Sequence, residues 1–180
     1  MRGEASLLSS LMNFRPEFMS LDKPHQIWRT AGSNPYEVSK AIQQARFLSG
    51  RYRTESLASH WTTNSGGFCL SATCDKEVET VEHILLSCPA YSECKRRLYS
   101  LWLSSKNKTV RQIILQAIQS ERGYLLQFIL DYTVLPSVSK ADQTSDGDSL
   151  LNELFYFTRT WCFLIHRERM KMLGRWNFQR

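Results

Sequence analysis

The sequence predicts a mainly α-helical fold: an irregular helical domain with an extended N-terminal arm and a long C-terminal helix. Three cysteines and one histidine between positions 69 and 88 add a small Cys-Cys-His-Cys (CCHC) zinc knuckle to this domain. Three observations support the helical fold. Apolar residues recur at helical spacing in several segments, residues suited to begin a helix precede these segments, and no segment alternates apolar and polar residues as a strand does. Apolar residues make up 42% of the 180 residues, which is enough to bury a core.

The chain divides by composition into four segments. Prolines at positions 16 and 24 interrupt any long helix near the N-terminus, and a serine-, threonine- and aspartate-rich stretch lies between two apolar regions. We therefore expect an extended arm over 1–33, a helical zinc-knuckle domain over 34–135, a flexible polar linker over 136–149 and an amphipathic C-terminal helix over 150–180 that packs on the domain.

Capping signals place the individual helices. Asn34 is a good N-cap, Pro35 fits the first helical position, and Gly50 can end the helix that they begin. Thr80 can cap a short helix that Pro89 stops. The remaining predicted helices run over 91–103, with its basic residues largely outward; from a Thr109 cap through 118; over 124–132; and from an Asp148 cap over about 150–173.

The most specific motif is a cluster of cysteines and one histidine. Cys69, Cys74, His83 and Cys88 follow the spacing C-x4-C-x8-H-x4-C. Three thiolates and one imidazole complete the tetrahedral shell that Zn²⁺ prefers, and such a closed shell leaves no position for a catalytic water. The spacing therefore predicts a structural zinc site.

Alternatives to this ligand set exist among neighbouring residues. The four side chains would carry no metal if they were simply buried, because free cysteine often packs as a small apolar residue. Cys94 is a further candidate ligand, but it lies on the apolar face of a predicted helix, which favours core packing. Cys162 is expected in the core, and His60 is expected to make a structural hydrogen bond rather than to bind metal.

Charge is distributed unevenly along the chain. The formal net charge is +6 and the sequence pI is about 9.2. Residues 61–90, which contain the cluster, hold one basic and four acidic residues and are net −3, whereas residues 91–122 hold seven basic and two acidic residues and are net +5. Phosphate binding needs Lys and Arg, so contact with RNA, or with single-stranded or target DNA, is expected from the flanks of the cluster.

The candidate nucleic-acid-binding residues form three basic groups interleaved with aromatic side chains that can stack on unpaired bases. Each group can equally be a solvated helix face. Trp102 and Trp161 are expected in the core, Trp176 is a second aromatic candidate, and His166 is expected at the surface. The candidates are Arg46, Arg51, Tyr52, Arg53, Lys95, Arg96, Arg97, Lys106, Lys108, Arg167, Arg169, Lys171 and Arg175.

Several functional classes are disfavoured. No apolar run is long enough to span a bilayer, and the first ten residues do not form a signal peptide, so we expect an intracellular protein of the nucleus or cytoplasm without a membrane partner. No nucleophile–base arrangement or carboxylate pair is evident, so we expect neither an enzyme nor a small-molecule substrate.

A longer pattern surrounds the cluster. From Glu79 to Pro89 the chain reads Glu-Thr-x-x-His-x-Leu-x-x-Cys-Pro, and from Gln44 to Thr54 it reads Gln-Ala-Arg-Phe-Leu-Ser-Gly-Arg-Tyr-Arg-Thr. Further stretches of the same pattern are residues 18–21, 23–25, 31–41, 60–61, 67–69, 157–161 and 166–169.

These stretches resemble the C-terminal part of the polyprotein of non-LTR (LINE-type) retrotransposons, downstream of the reverse transcriptase. The resemblance implies a module that handles RNA or DNA near a polymerase, with Cys69, Cys74, His83 and Cys88 as zinc ligands. The chain departs from the full polyprotein because it contains no Tyr/Phe-x-Asp-Asp motif and has no room for an endonuclease. We therefore expect a non-catalytic tail, as in a truncated copy.

A second function remains open. The apolar helices over 110–132 and 150–173 could dock on an adjoining reverse transcriptase domain, in which case the module would mediate protein interaction without binding nucleic acid itself.

Overall fold

The computed structural model describes residues 24–135 and 147–174, and these residues are predominantly helical. This confirms the mainly α-helical class. The α-helices are α1 (Gln26–Arg29), α2 (Pro35–Leu48), α3 (Glu55–Ser59), α4 (Ser92–Leu103), α5 (Lys108–Gln119), α6 (Arg122–Asp131) and α7 (Gly147–Met172). Three short 3-10 helices cover Ala72–Cys74, Pro89–Tyr91 and Tyr132–Val134, and a π-helix covers His83–Ser87.

Helix α7 is the centre of the packing. It contacts α2, α4, α5, α6 and the π-helix. Its Trp161 is fully buried and lies 4.6 Å from Trp102 of α4 between ring centroids. Cys162 is also fully buried, so the assignment of both tryptophans and this cysteine to the core is confirmed.

Buried polar side chains fix how α7 meets its neighbours. Gln44 of α2 is fully buried, and its Nε2 donates to the carbonyl oxygens of Ile129 and Leu130 and to the hydroxyl of Thr158. The amide nitrogen of this one side chain therefore links α2 to α6 and α7, whereas its Oε1 is buried without a partner among the described residues.

The part of the expected N-terminal arm that the structure describes is not extended. Residues 24–33 contain α1, and its Ile27 is 2% exposed. His25 Nε2 lies 3.0 Å from the Asp131 carboxylate, and Arg159 of α7 donates to the hydroxyl of Thr30. The prediction missed this packing because the apolar signal of one short turn is weak; residues 1–23 lie outside the described residues.

The predicted helix boundaries are partly confirmed. Asn34 accepts hydrogen bonds from the amides of Tyr36 and Glu37, as expected of the N-cap of α2, and Gly50 after its end has a φ of +66°. The prediction that Thr109 caps α5 is wrong, because Asn107 accepts from the first free amides. Helix α7 begins at Gly147, so residues 147–149 of the expected linker are helical; residues 136–146 are not described.

Within residues 24–135 and 147–174, no helix has both the length and the apolar character needed to cross a membrane.

Candidate metal centre

Cys69 and Cys74 lie on a hairpin-like loop. The amide of Cys69 donates to the carbonyl of Glu77 at 2.7 Å, and the amide of Glu79 donates to the carbonyl of Gly67 at 3.0 Å. Phe68 and Val78 form an antiparallel bridge between the two arms. These backbone bonds hold the first ligand beside the returning chain.

A tight turn closes the loop directly after the second ligand. Asp75 and Lys76 have φ angles of +37° and +60°, and the amide of Glu77 donates to the carbonyl of Cys74 at 2.8 Å. Two consecutive left-handed residues are typical of turns whose twist matches the paired arms, and Asp is among the residues that tolerate this conformation. The turn brings the chain from Cys74 back past Cys69.

His83 and Cys88 lie at the two ends of the π-helix. Thr80 begins this segment as predicted, because its hydroxyl accepts from the amide of His83 at 3.0 Å. The amide of Cys88 donates to the carbonyl of His83 at 2.7 Å, which is an i→i+5 bond. This one wide turn therefore places Cys88 next to His83. π-helical turns occur frequently at functional sites.

The four side chains converge on one point. One ligand atom from each of Cys69, Cys74, His83 and Cys88 lies within 4.8 Å of the other three. The Sγ–Sγ distances are 3.8 Å between Cys69 and Cys88 and 3.5 Å between Cys74 and Cys88. Two Zn–S bonds of about 2.3 Å at the tetrahedral angle place sulfur atoms about 3.8 Å apart. The group therefore has the dimensions of a tetrahedral metal site.

The orientation of the His83 ring supports the same conclusion. Its Nδ1 lies 2.8 Å from the carboxylate of Glu77, which favours the tautomer with the proton on Nδ1. Its Nε2 is buried and has no hydrogen-bond partner among the described residues. A buried nitrogen without a partner is costly, and a metal ion beside the three sulfur atoms would remove that cost.

Burial changes the acidity of the thiols. It raises the pKa of Cys88 to about 12, although the backbone amide of Ala90 acts in the opposite direction. Burial also raises the pKa of Cys69 above its ordinary value. Both groups are therefore neutral at pH 7 without a cation, and both must lose a proton to bind one.

Lys95 does not face solvent. The side chain was predicted to point outward and contact nucleic acid, but the residue is 7% exposed and its ammonium donates to the carbonyls of Leu86 and Cys88 at 2.8 Å each. The predicted outward orientation is therefore wrong, because the ammonium turns back to carbonyls at the end of the ligand segment.

Tyr52 is also buried rather than available to bases. It is 4% exposed, its ring stacks on Phe47 at 3.7 Å between centroids, and its hydroxyl lies 3.0 Å from Nδ1 of His166. Burial raises the pKa of Tyr52 to about 12.

The surface position expected for His166 is also wrong. The ring is half-buried, and burial together with the charges of Arg46 and Arg169 lowers the pKa of His166 to about 4.

Arg169 is the third candidate that the structure removes from the surface. It is 3% exposed and pairs with Glu79 at 2.6 Å and with Glu55 at 3.6 Å. From the sequence, Arg169 belongs to a basic group at the end of α7 that is expected at the surface. The position faces the core instead, and a buried arginine is tolerated there because carboxylates neutralise its charge.

The other predicted contacts within the described residues are at least partly accessible. Arg96 and Arg97 are exposed and pair with Glu93, while Arg167 and Lys171 pair with Glu168. Arg175 and Trp176 lie outside the described residues. Five exposed candidates have no ion-pair partner among residues 24–135 and 147–174, namely Arg46, Arg51, Arg53, Lys106 and Lys108.

Sequence reasoning missed the acidic residues that organise the site. Glu77 orients His83, and Glu79 joins the cluster to α7. The excess of acidic residues around the cysteines was the available signal, but it was interpreted only as net charge. Cys94 is half-buried against the core and His60 is exposed; neither belongs to the group of converging ligand atoms.

Comparison of the chain with models of protein families, with curated proteins and with solved structures finds no match.

Proposed function

We propose that this chain is a non-catalytic, zinc-binding and nucleic-acid-binding module of the kind found in the tail of a non-LTR retrotransposon reverse transcriptase. The observation that carries the metal half of the proposal is Nε2 of His83. It is buried and lacks a partner among the described residues, and one ring nitrogen of His83 and the three cysteine sulfur atoms all lie within 4.8 Å of one another.

Zinc suits this donor set. Three thiolates and one imidazole give a tetrahedral sulfur-rich shell, which selects Zn²⁺ over Mg²⁺ or Ca²⁺. With all four positions taken by the protein, the ion would be structural: it would hold the Cys69 loop against the π-helix. The ammonium of Lys95, close to the carbonyl of Cys88, offsets the formal charge of −1 that three thiolates and Zn²⁺ create.

Cations on either side of this acidic centre support nucleic-acid binding. Arg46, Arg51 and Arg53 precede the cluster in the chain, and Lys106 and Lys108 follow it, and all five are exposed. Release of counterions from phosphates would supply most of the affinity. Zinc would act indirectly, by holding together the fold that presents these side chains, and RNA or single-stranded DNA would be the partner.

The alternative, a module that docks on a reverse transcriptase domain through its apolar helices, has less support. The apolar residues of α5, α6 and α7 pack against one another in the core, including Ile114, Phe128 and Phe155, each fully buried. Docking through those faces would require the domain to open.

Metal analysis tests the first half of the proposal. The purified chain is expected to hold one zinc ion. Cys88→Ala should lose it, and Cys94→Ala, a cysteine outside the group, should keep it. Full zinc content in Cys88→Ala would rule out this ligand set.

A salt titration tests the second half. The logarithm of the binding constant for single-stranded RNA and DNA should fall linearly with the logarithm of the salt concentration. Chelation of the metal should abolish binding together with the helical circular dichroism signal. Self-association without any nucleic-acid binding would favour the docking alternative instead.

A further inference from the structure

An apolar groove lies between α1 and α2. Its volume is about 360 Å³, and its lining includes Trp28, Ile42, Ala45 and Leu48. Trp28 is 43% exposed and Ile42 is 36% exposed, so the groove presents an indole and aliphatic carbon to solvent. A tryptophan so exposed beside a concave apolar surface is a platform on which a planar ligand can stack.

Two arginines line this groove. Arg46 and Arg51 are part of its lining, whereas Arg29, the residue after Trp28, lines a separate pocket. Arg46 and Arg51 are both exposed, and neither has a carboxylate within ion-pair distance in the described part of the chain. By contrast, Arg96 and Arg97 on α4 share the carboxylate of Glu93. The cations at the groove therefore have free capacity for an anionic ligand.

We propose that this groove binds an unpaired base of a single-stranded nucleic acid, with the base stacked on Trp28 and the flanking phosphates on Arg46 and Arg51. The inference rests on the proposed nucleic-acid-binding function and locates it. It joins the two features that single-strand binding requires, an aromatic platform and adjacent guanidinium groups. Every nucleotide supplies a phosphate beside its base, so a single-stranded nucleic acid matches both features of the groove with one repeating unit.

The groove should accept any base. Both ring nitrogens of His25, which contributes to the lining, are engaged: Nε2 with Asp131 and Nδ1 with the amide of Ile27. The remaining lining is mainly aliphatic carbon, indole and guanidinium. Few polar groups are therefore left to read the edge of a base, and stacking alone does not distinguish base identity.

The test uses the full chain with its metal and two fluorescein-labelled probes, a single-stranded RNA and an abasic phosphodiester strand of the same length. Trp28→Ala should weaken RNA binding about tenfold and leave abasic-strand binding unchanged, because only the base meets the indole. Trp28→Phe should recover most of the loss. Arg46→Gln with Arg51→Gln should weaken both probes and reduce the salt slope by about 0.7 for each lost phosphate contact.

Arg96→Gln with Arg97→Gln is the matched control, since it also removes two exposed arginines, and it should change binding less than the groove pair does. If the groove variants bind RNA as the wild type does, the groove assignment is overturned while the proposed function stands. Equal losses of both probes in Trp28→Ala would also overturn it. If the wild-type chain binds neither probe, the proposed function fails and this inference fails with it.

Discussion

Nη2 of Arg169 lies 2.6 Å from Oε1 of Glu79 inside the protein, where the two side chains are 4% and 1% exposed. The same carboxylate oxygen accepts the amide of Glu55 at 2.8 Å. One acidic residue between the metal-ligand pairs therefore anchors both the last helix and the start of α3.

Removing this carboxylate should destabilise the whole fold. Glu79→Ala leaves the Arg169 guanidinium buried with only the more distant Glu55, and breaking one side of a buried pair typically costs about 3–5 kcal/mol of unfolding free energy. Urea denaturation of the metal-loaded chain measures the loss. Glu93→Ala, which removes an exposed carboxylate paired with Arg96 and Arg97, should change stability by less than about 1 kcal/mol. Similar stability for the two variants would contradict this account.

Metal affinity should depend on Glu77, which is not a ligand in the converging group. Glu77→Ala removes the acceptor that holds Nδ1 of His83, and loss of such a partner weakens metal binding by about 10–100-fold. Because the Glu77 side chain is 62% exposed, we expect the lower end of that range. Competition with a chromophoric chelator measures it. Glu82→Ala, at the exposed residue directly before His83, serves as the control and should bind metal as the wild type does.

Metal binding should release protons and weaken as pH falls. The pKa of Cys88 is raised to about 12 and that of Cys69 is also raised, so both thiols are protonated in the metal-free fold at pH 7. Each must lose its proton to the solvent when the ion binds, and acid favours the protonated, metal-free form. Calorimetry in buffers of different ionisation enthalpy counts the protons. Metal uptake without proton release would show that thiolates already exist in the empty site.

Lys95 should contribute stability rather than nucleic-acid affinity. Lys95→Met keeps the apolar stem and removes the ammonium that donates to the carbonyls of Leu86 and Cys88. The Cys88 carbonyl keeps a bond from the amide of Tyr91, so we expect a loss of about 1–3 kcal/mol, mainly from the two lost charge-assisted bonds. Thermal melting detects this loss. Arg96→Ala with Arg97→Ala should leave the melting temperature nearly unchanged. A flatter salt slope in Lys95→Met at unchanged stability would restore the surface role predicted from sequence.

Local signals predicted much of the fold and of the candidate site. The caps at Asn34 and Thr80 are short-range hydrogen bonds between a side chain and amides two or three residues away, so the sequence contains both partners. The four candidate metal ligands lie within 20 residues, and their chemistry restricts how they can converge.

Long-range burial was not predictable in the same way. Lys95, Tyr52 and Arg169 were assigned to the surface because each has a polar end, yet each buries its stem or ring and satisfies that end at a specific partner. Arg169 meets Glu79 across 90 residues of chain. Nothing in local periodicity identifies a carboxylate so distant in sequence, and only the packing of α7 brings the two together.

The wide turn between His83 and Cys88 limits which insertions and deletions this part of the chain can tolerate. The amide of Cys88 donates to the carbonyl of His83 at 2.7 Å and closes this turn. Adding or deleting one residue among positions 84–87 would therefore rotate Cys88 away from the three other candidate ligand atoms. The chain between Cys74 and His83 is constrained in a different way, because Glu77 and Glu79 must keep their contacts with His83 and Arg169. Among homologous chains, the gap of four residues before Cys88 should therefore be constant.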